Sequence, residues 1–197
     1  QPILLIFVHP NLQQSNINKA LIQHVKSLDF VTVHDLCEAY PDGVIDIETE
    51  QRLLEQYEHV VFQHPFYWYS VPALLKEWFD LVLQYNFAYG PNGNLLQDKT
   101  WLSVITTGGG EQAYSADGHN RFTMDQLLTP FEQTAYLCQM KYVDPFVIHG
   151  SRKLSTDKPR LDKTIGNYLE VLTSLSSGKL SVKAPTNNAF VANGEVK

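Results

Sequence analysis

The sequence predicts a doubly wound α/β domain, a five-stranded parallel sheet with helices on both faces. Three observations lead there. Short continuous apolar runs, at residues 3–8 (ILLIFV) and 60–62 (VVF), read as strands covered on both sides. Segments with apolar residues three and four apart alternate with those runs. The loops that leave three strands, HPNLQQSNIN, PFYWY and TTGGG, are rich in residues a core does not need. They fall beyond the carboxyl ends of the strands, where open α/β sheets bind ligands.

The first strand, residues 3–8, stops at His9-Pro10. A helix follows with Ile17, Leu21, Val25 and Leu28 on one face and Ser15 as N-cap. The amides of Asn16, Ile17 and Asn18 then point outward, and such an end binds phosphate without a lysine. Taken alone the loop fits a plain capped helix equally well. A second strand is predicted over residues 30–34, then a loop at 40–51 feeding a polar helix to about Tyr57.

The third strand breaks at His64-Pro65. Phe66, Tyr67, Trp68 and Tyr69 follow as a flat wall for a planar ring system, with capping of the core as the competing reading. A helix is predicted from Ser70 as N-cap, with Pro72 in its first turn and Leu74, Leu75, Trp78, Phe79 and Val82 on one face. Residues 85–93 form an aromatic segment running into a Gly/Pro turn. The fourth strand, 101–106, ends in Thr107-Gly108-Gly109-Gly110, where glycine lets the backbone come close to a ligand. A helix over 123–139, a strand over 142–148 and a helix over 158–176 complete the alternation. The domain is expected to span 1–177. Periodicity is lost from Gly178, so 178–197 reads as an extended or disordered tail.

Composition narrows the function classes. The 197 residues suit one domain with a sizeable core, 44% apolar and 18% charged. A net charge of −6 without a basic cluster gives no footprint for nucleic acid. The early apolar run is too short for a signal segment or a membrane span. Cys37 and Cys138 lack motif spacing and read as buried thiols in a reducing, cytoplasmic compartment. The histidines show no metal-ligand spacing, and no P-loop or nucleophile elbow occurs. A phospho-receiver would need carboxylates where His9-Pro10 stands. Three loops offering a phosphate cradle, an aromatic wall and close backbone suit flavin mononucleotide, since G-x-G-x-x-G is missing after strand one.

The residues also resemble a known family. His9-Pro10 with Ser15 and Asn18-Lys19, QHPFYWYSVPALLKEWFD, Phe87-Ala88-Tyr89-Gly90, and Thr106-Thr107-Gly108-Gly109 with Tyr114 carry the likeness. They are similar to the flavodoxin-like NAD(P)H:quinone oxidoreductases, most closely the ancillary proteins of glutathione-regulated potassium-efflux (Kef) antiporters. The resemblance implies FMN, with FAD possible, at His9, Ser15, Asn16, Ile17, Asn18, Phe66, Tyr67, Trp68, Tyr69, Thr106, Thr107, Gly108 and Gly109. It implies NAD(P)H as hydride donor and a quinone as acceptor. Tyr114 falls on the family's charge-stabilising tyrosine. The family's histidine lands on Asn120, with His119 one residue early, so Tyr114 and His119 are the expected catalytic pair.

A homodimer is expected from the resemblance and from the aromatic surface of Phe66, Tyr67, Tyr85, Phe87 and Tyr89. The other implied partner is a membrane potassium-efflux antiporter, held from the cytoplasmic face of the inner membrane. A −6 chain without a basic amphipathic helix or lipidation signal would not insert in lipid directly. The expected docking segment is 40–51, where Asp42, Asp46, Glu48 and Glu50 surround Val44, Ile45 and Ile47. A free-standing cytoplasmic NAD(P)H quinone reductase is the alternative.

Overall fold

The computed structural model describes residues 1–184 and Thr186. Its strands are β1 (Ile3–Phe7), β2 (Val31–Asp35), β3 (His59–Pro65), β4 (Thr100–Thr106), β5 (Lys141–Tyr142) and β6 (Phe146–Ile148). All pair in parallel, in the order β2-β1-β3-β4, with β5 and β6 both on the outer side of β4. The predicted strand over 142–148 is therefore one edge strand in two pieces. Two β4 residues separate Trp101 from Val104, but three (Val143, Asp144 and Pro145) separate their partners Tyr142 and Phe146. The extra residue and a proline without an N–H break the ladder there.

Alternation along the strands sorts the core into two layers. Leu4, Ile6, Val60, Phe62, Trp101 and Ile105 face one side. Against them pack α2 (Leu36–Ala39), α3 (Ile47–Glu55), α4 (Ala73–Val82), α5 (Met124–Leu127) and α6 (Thr129–Leu137). Ile3, Leu5, Phe7, Val61, Leu102 and Val104 face the other side, against α1 (Asn16–Val25), α7 (Ser151–Leu154) and α8 (Lys158–Ser176). β1, β3 and β4 are buried on both faces, and this is why residues 3–8 and 60–62 read as unbroken apolar runs, whereas the edge strand β2 is only partly buried.

Several boundaries differ from expectation. Helix α1 ends at Val25, so Leu28 packs from the turn beyond it. Ser70 does not cap α4. Its amide bonds Tyr67 O at 2.9 Å to close the aromatic loop, and Pro72 stands at the N-cap. The helix expected over 123–139 divides at Leu128: a Thr123–Gln126 capping box starts α5, and Pro130 starts the next turn. Asp35 and Asp46 each cap a helix, so α2 and α3 take up part of what reads as a loop and the residues before it.

Within the segment 40–51, Glu50 and Ile45 are buried and do not belong to a surface patch. Glu50 is 1% exposed and accepts hydrogen bonds from His34 Nε2 (2.8 Å), the Tyr40 hydroxyl (2.6 Å) and Trp78 Nε1 (2.7 Å). Val44 is 71% exposed, among exposed Asp42, Asp46 and Glu48. Phe87, expected on the surface, is also buried. Cys138 is buried and its thiol is pushed up to about 11 by desolvation, whereas Cys37 is only half-buried.

Gly178, at φ +69°, ends α8 and turns the chain back. Val182 bridges Val143, Lys183 N–H donates to Tyr142 O (2.8 Å), and Lys183 Nζ meets Asp125 at 2.6 Å. The start of the predicted tail thus lies extended against the edge strand. The tail reading for Pro185 and residues 187–197 falls outside the described residues.

Candidate functional site

The carboxyl ends of β1, β3 and β4 open into one cleft of about 470 Å³. Its floor is a buried polar chain. Tyr168 OH donates to Gln63 Oε1 (2.6 Å), Gln63 Nε2 to Asn18 Oδ1 (3.3 Å), and Asn18 Nδ2 to Thr106 Oγ1 (3.0 Å) and Ser15 Oγ (3.2 Å). Asn18 is 2% exposed and its partners Gln63 and Thr106 are buried too, so each would otherwise leave an unpaired buried group. The chain ties α8, β3, α1 and β4 together beneath the loops.

Above the floor, Ser15 caps α1 as expected, accepting from Asn18 N–H at 3.4 Å. No acceptor among the described residues takes the amides of Asn16 and Ile17. Both residues line the cleft, so two free donors and the positive helix end face it. His9, Phe66, Tyr67, Thr106 and Gly108 line it too. Asn11 N–H donates to His9 Nδ1 (3.2 Å), which places the proton of the neutral ring on Nε2. Burial lowers the pKa of His9, opposed by a hydrogen bond to its own backbone and by the Asp35 charge. A Cβ built on Gly108 would meet nothing within 4 Å, so the cleft is open there to a ring edge.

Ser151, Arg152 and Ser155, which the sequence reading passes over, complete the lining. They sit on and just after α7, directly after β6, and the pairing of β6 with β4 carries them to the cleft. The rule that sites lie past strand ends would have picked HGSRKLS as well, but that loop holds a single glycine and no run of aromatics to mark it. The lining holds Arg152 and no carboxylate. A dianionic phosphate fits that donor set, and a flat ring fits beside Phe66 and Tyr67.

A second hollow of about 330 Å³ shares Phe66 with the first. Trp68, Tyr69, Gly109, Ala113, Tyr114, His119 and Asn120 line it. The four aromatics therefore do not form a single wall: Tyr67 faces the cleft, Trp68 and Tyr69 face the hollow, and Phe66 serves both. Trp68 (φ +51°) and Tyr69 (φ +62°) sit in the left-handed region, which turns the loop outward and leaves Trp68 92% exposed. Tyr69 OH donates to Asn120 Oδ1 at 3.1 Å, latching this loop to the one after the glycines. Tyr114 and His119 come together in the hollow, with His119 exposed. Thr107 is not brought to either wall. Its side chain is buried against Gly109 O (2.8 Å) and His149 Nδ1 (3.2 Å).

Residues 1–172 match the sequence profile of the flavodoxin-like fold. The ancillary protein KefG of the glutathione-regulated potassium-efflux system of Pectobacterium atrosepticum is 54% identical over 155 residues, covering 79% of this chain and 85% of that protein. The structure of general stress protein 14 from Treponema denticola, in complex with FMN, is 36% identical with a TM-score of 0.83, covering 89% of this chain and 99% of that one. An NADPH-quinone reductase from P. pentosaceus is 31% identical with a TM-score of 0.74, over 84% and 96%. With that sheet order, those loops and these relatives, the chain belongs to the flavodoxin-like family, alongside the ancillary proteins of glutathione-regulated potassium-efflux systems.

Proposed function

We propose that this protein binds one FMN per chain, passes electrons from NAD(P)H to a quinone, and acts as the ancillary regulatory subunit of a glutathione-regulated potassium-efflux antiporter. The observation that carries the reading is the sharing of Phe66 between two hollows. One is furnished for a phosphate and a ring edge, the other with Tyr114 for transfer. Ser15, Asn16, Ile17 and Arg152 hold the phosphate, Phe66 and Tyr67 flank the ring, and Gly108 lets it approach the backbone. The unpartnered amides at the start of α1 and the Arg152 guanidinium suit the terminal phosphate of FMN.

Bound flavin supplies two-electron chemistry at a single site: NAD(P)H and one proton give two electrons and two protons to a quinone, leaving NAD(P)⁺ and hydroquinone. Tyr114 OH donates toward the charge that develops during transfer, with His119 beside it. Trp68 and Tyr69 leave exposed aromatic surface on the wall of the hollow, and Tyr85 is exposed as well, which supports a homodimer. Sedimentation of the 22.4 kDa chain should give a species of twice that mass.

That the KefG relative is an ancillary protein of a potassium-efflux system supports such a system as the partner, and we assign the contact to its cytoplasmic side. No helix among the described residues is long and apolar enough to cross a membrane. The surface we assign to docking is the exposed part of 40–51, Val44 with Asp42, Asp46 and Glu48. Potassium efflux from cells carrying the matched antiporter tests this. Deleting the protein should lower efflux, and Val44→Lys should do the same while flavin reduction is unchanged. Efflux indifferent to the deletion would leave a free-standing reductase.

A further inference from the structure

His149 stands against Tyr114 in a way the loop histidine does not. The ring centroids are 5.3 Å apart with a 40° tilt. His149 follows β6, and its segment is joined to the glycine loop by Thr107 N–H to Ile148 O (2.9 Å), Gly150 N–H to Gly109 O (2.8 Å) and Ser151 N–H to Thr107 O (2.9 Å). Thr107 fixes its ring. The Thr107 hydroxyl has one proton, and it is placed to donate it to Gly109 O at 2.8 Å. The contact from Thr107 Oγ1 to His149 Nδ1, at 3.2 Å, must then be donated by the imidazole. The neutral ring carries its proton on Nδ1 and leaves Nε2 bare. Tyr114 is held on its other sides by Gly109, where a Cβ would come within 3.3 Å of the phenol ring, and by Phe66 at 6.3 Å.

Neither residue at the family's histidine position matches this arrangement. Asn120 Oδ1 is engaged by the Tyr69 hydroxyl, and His119 is exposed with no side-chain hydrogen bond among the described residues. We propose that His149 is the positioning residue of Tyr114, setting the orientation of the phenol and its strength as a hydrogen-bond donor, with Thr107 holding the imidazole for that task. This rests on the reductase reading above. Glu111 and Tyr114 face the imidazole from the turn that follows the glycine loop, and Arg152 follows on its own segment. Burial lowers the pKa of His149 and Glu111 partly restores it, so the ring is charged only below its ordinary range. A positive imidazole beside the phenol makes it a stronger donor, so transfer accelerates as pH falls through that pKa.

The test pairs His149→Asn, which retains an N–H for Thr107 but removes the titrating ring, with His149→Phe, which retains a ring without the N–H. Flavin affinity is read by fluorescence quenching, flavin reduction by NAD(P)H in stopped flow from pH 5 to 8, and the Tyr114 phenol carbon by ¹³C NMR, assigned with Tyr114→Phe. The unmodified protein should show a Tyr114 shift and a rate increase with a shared midpoint below pH 6.5. His149→Asn should bind flavin within about twofold, lose both inflections and reduce its flavin about tenfold more slowly. His149→Phe should lose the inflections too, because a ring without a titrating nitrogen cannot replace the charge. Unchanged rate, pH profile and Tyr114 signal in His149→Asn would overturn the role of His149. An unmodified protein whose flavin is not reduced would instead overturn the reductase reading on which the role rests.

Discussion

Asn18 Nδ2 donates to Thr106 Oγ1 at 3.0 Å, joining the first turn of α1 to the last residue of β4 under the candidate phosphate cradle. This bond does two things. It pays the hydrogen-bonding needs of a buried amide, and it fixes the spacing between the two loops that the cleft requires.

Asn18→Ala leaves Gln63 Nε2 and Thr106 Oγ1 without their partner in a buried site. An unsatisfied buried polar group costs about 1–3 kcal/mol, so we expect a loss of about that size in urea unfolding. FMN affinity should fall as well, because Ser15 also loses its side-chain neighbour.

Glu50 sets an acid limit to stability. Burial raises its pKa, but the bonds from His34, Tyr40 and Trp78 outweigh this and hold it below the ordinary 4.5. A folded pKa below the unfolded one means stability is present above about pH 4.5 and is lost as pH falls through the folded value. Glu50→Gln should abolish that dependence and present an amide N–H to one of three donors. Breaking such a buried ionic group costs about 3–5 kcal/mol, measurable by denaturant unfolding at pH 7. Acid unfolding profiles that coincide for the two proteins would contradict this account of Glu50.

Arg152→Ala should weaken FMN binding about tenfold, corresponding to about 1.4 kcal/mol, and leave riboflavin binding nearly unchanged. The loss should shrink at high salt, since screening removes the same exposed attraction. Fluorescence titration with the two flavins at two ionic strengths reads both effects. Equal losses for FMN and riboflavin would move Arg152 away from the phosphate.

Tyr114→Phe should keep flavin content and melting temperature while lowering the reduction rate about 10²–10³-fold, the usual size of losing one preorganised donor. Lost flavin in place of lost rate would make Tyr114 an anchor of the glycine loop instead.

Much of this was legible in the sequence because β1, β3 and β4 are buried on both faces. The runs at 3–8 and 60–62 could be little else, and Ser15 is where its type and the following periodicity place it. Ser70 failed as a cap because the left-handed Trp68 and Tyr69 draw it into a turn, which no local propensity announces. Glu50 has the periodicity of a polar face, yet it is buried by partners at 34, 40 and 78. Arg152 and His149 were missed for a related reason. The edge strand before them is broken by Asp144-Pro145, and only its pairing with β4 brings its end to the site.

Anaerobic titration of the FMN-reconstituted protein tests the central claim most directly. One equivalent of NADH or NADPH should bleach the flavin's visible absorbance, and one equivalent of a quinone should restore it. A flavin that binds but is bleached by neither nucleotide, or a chain that binds no flavin, would contradict the account.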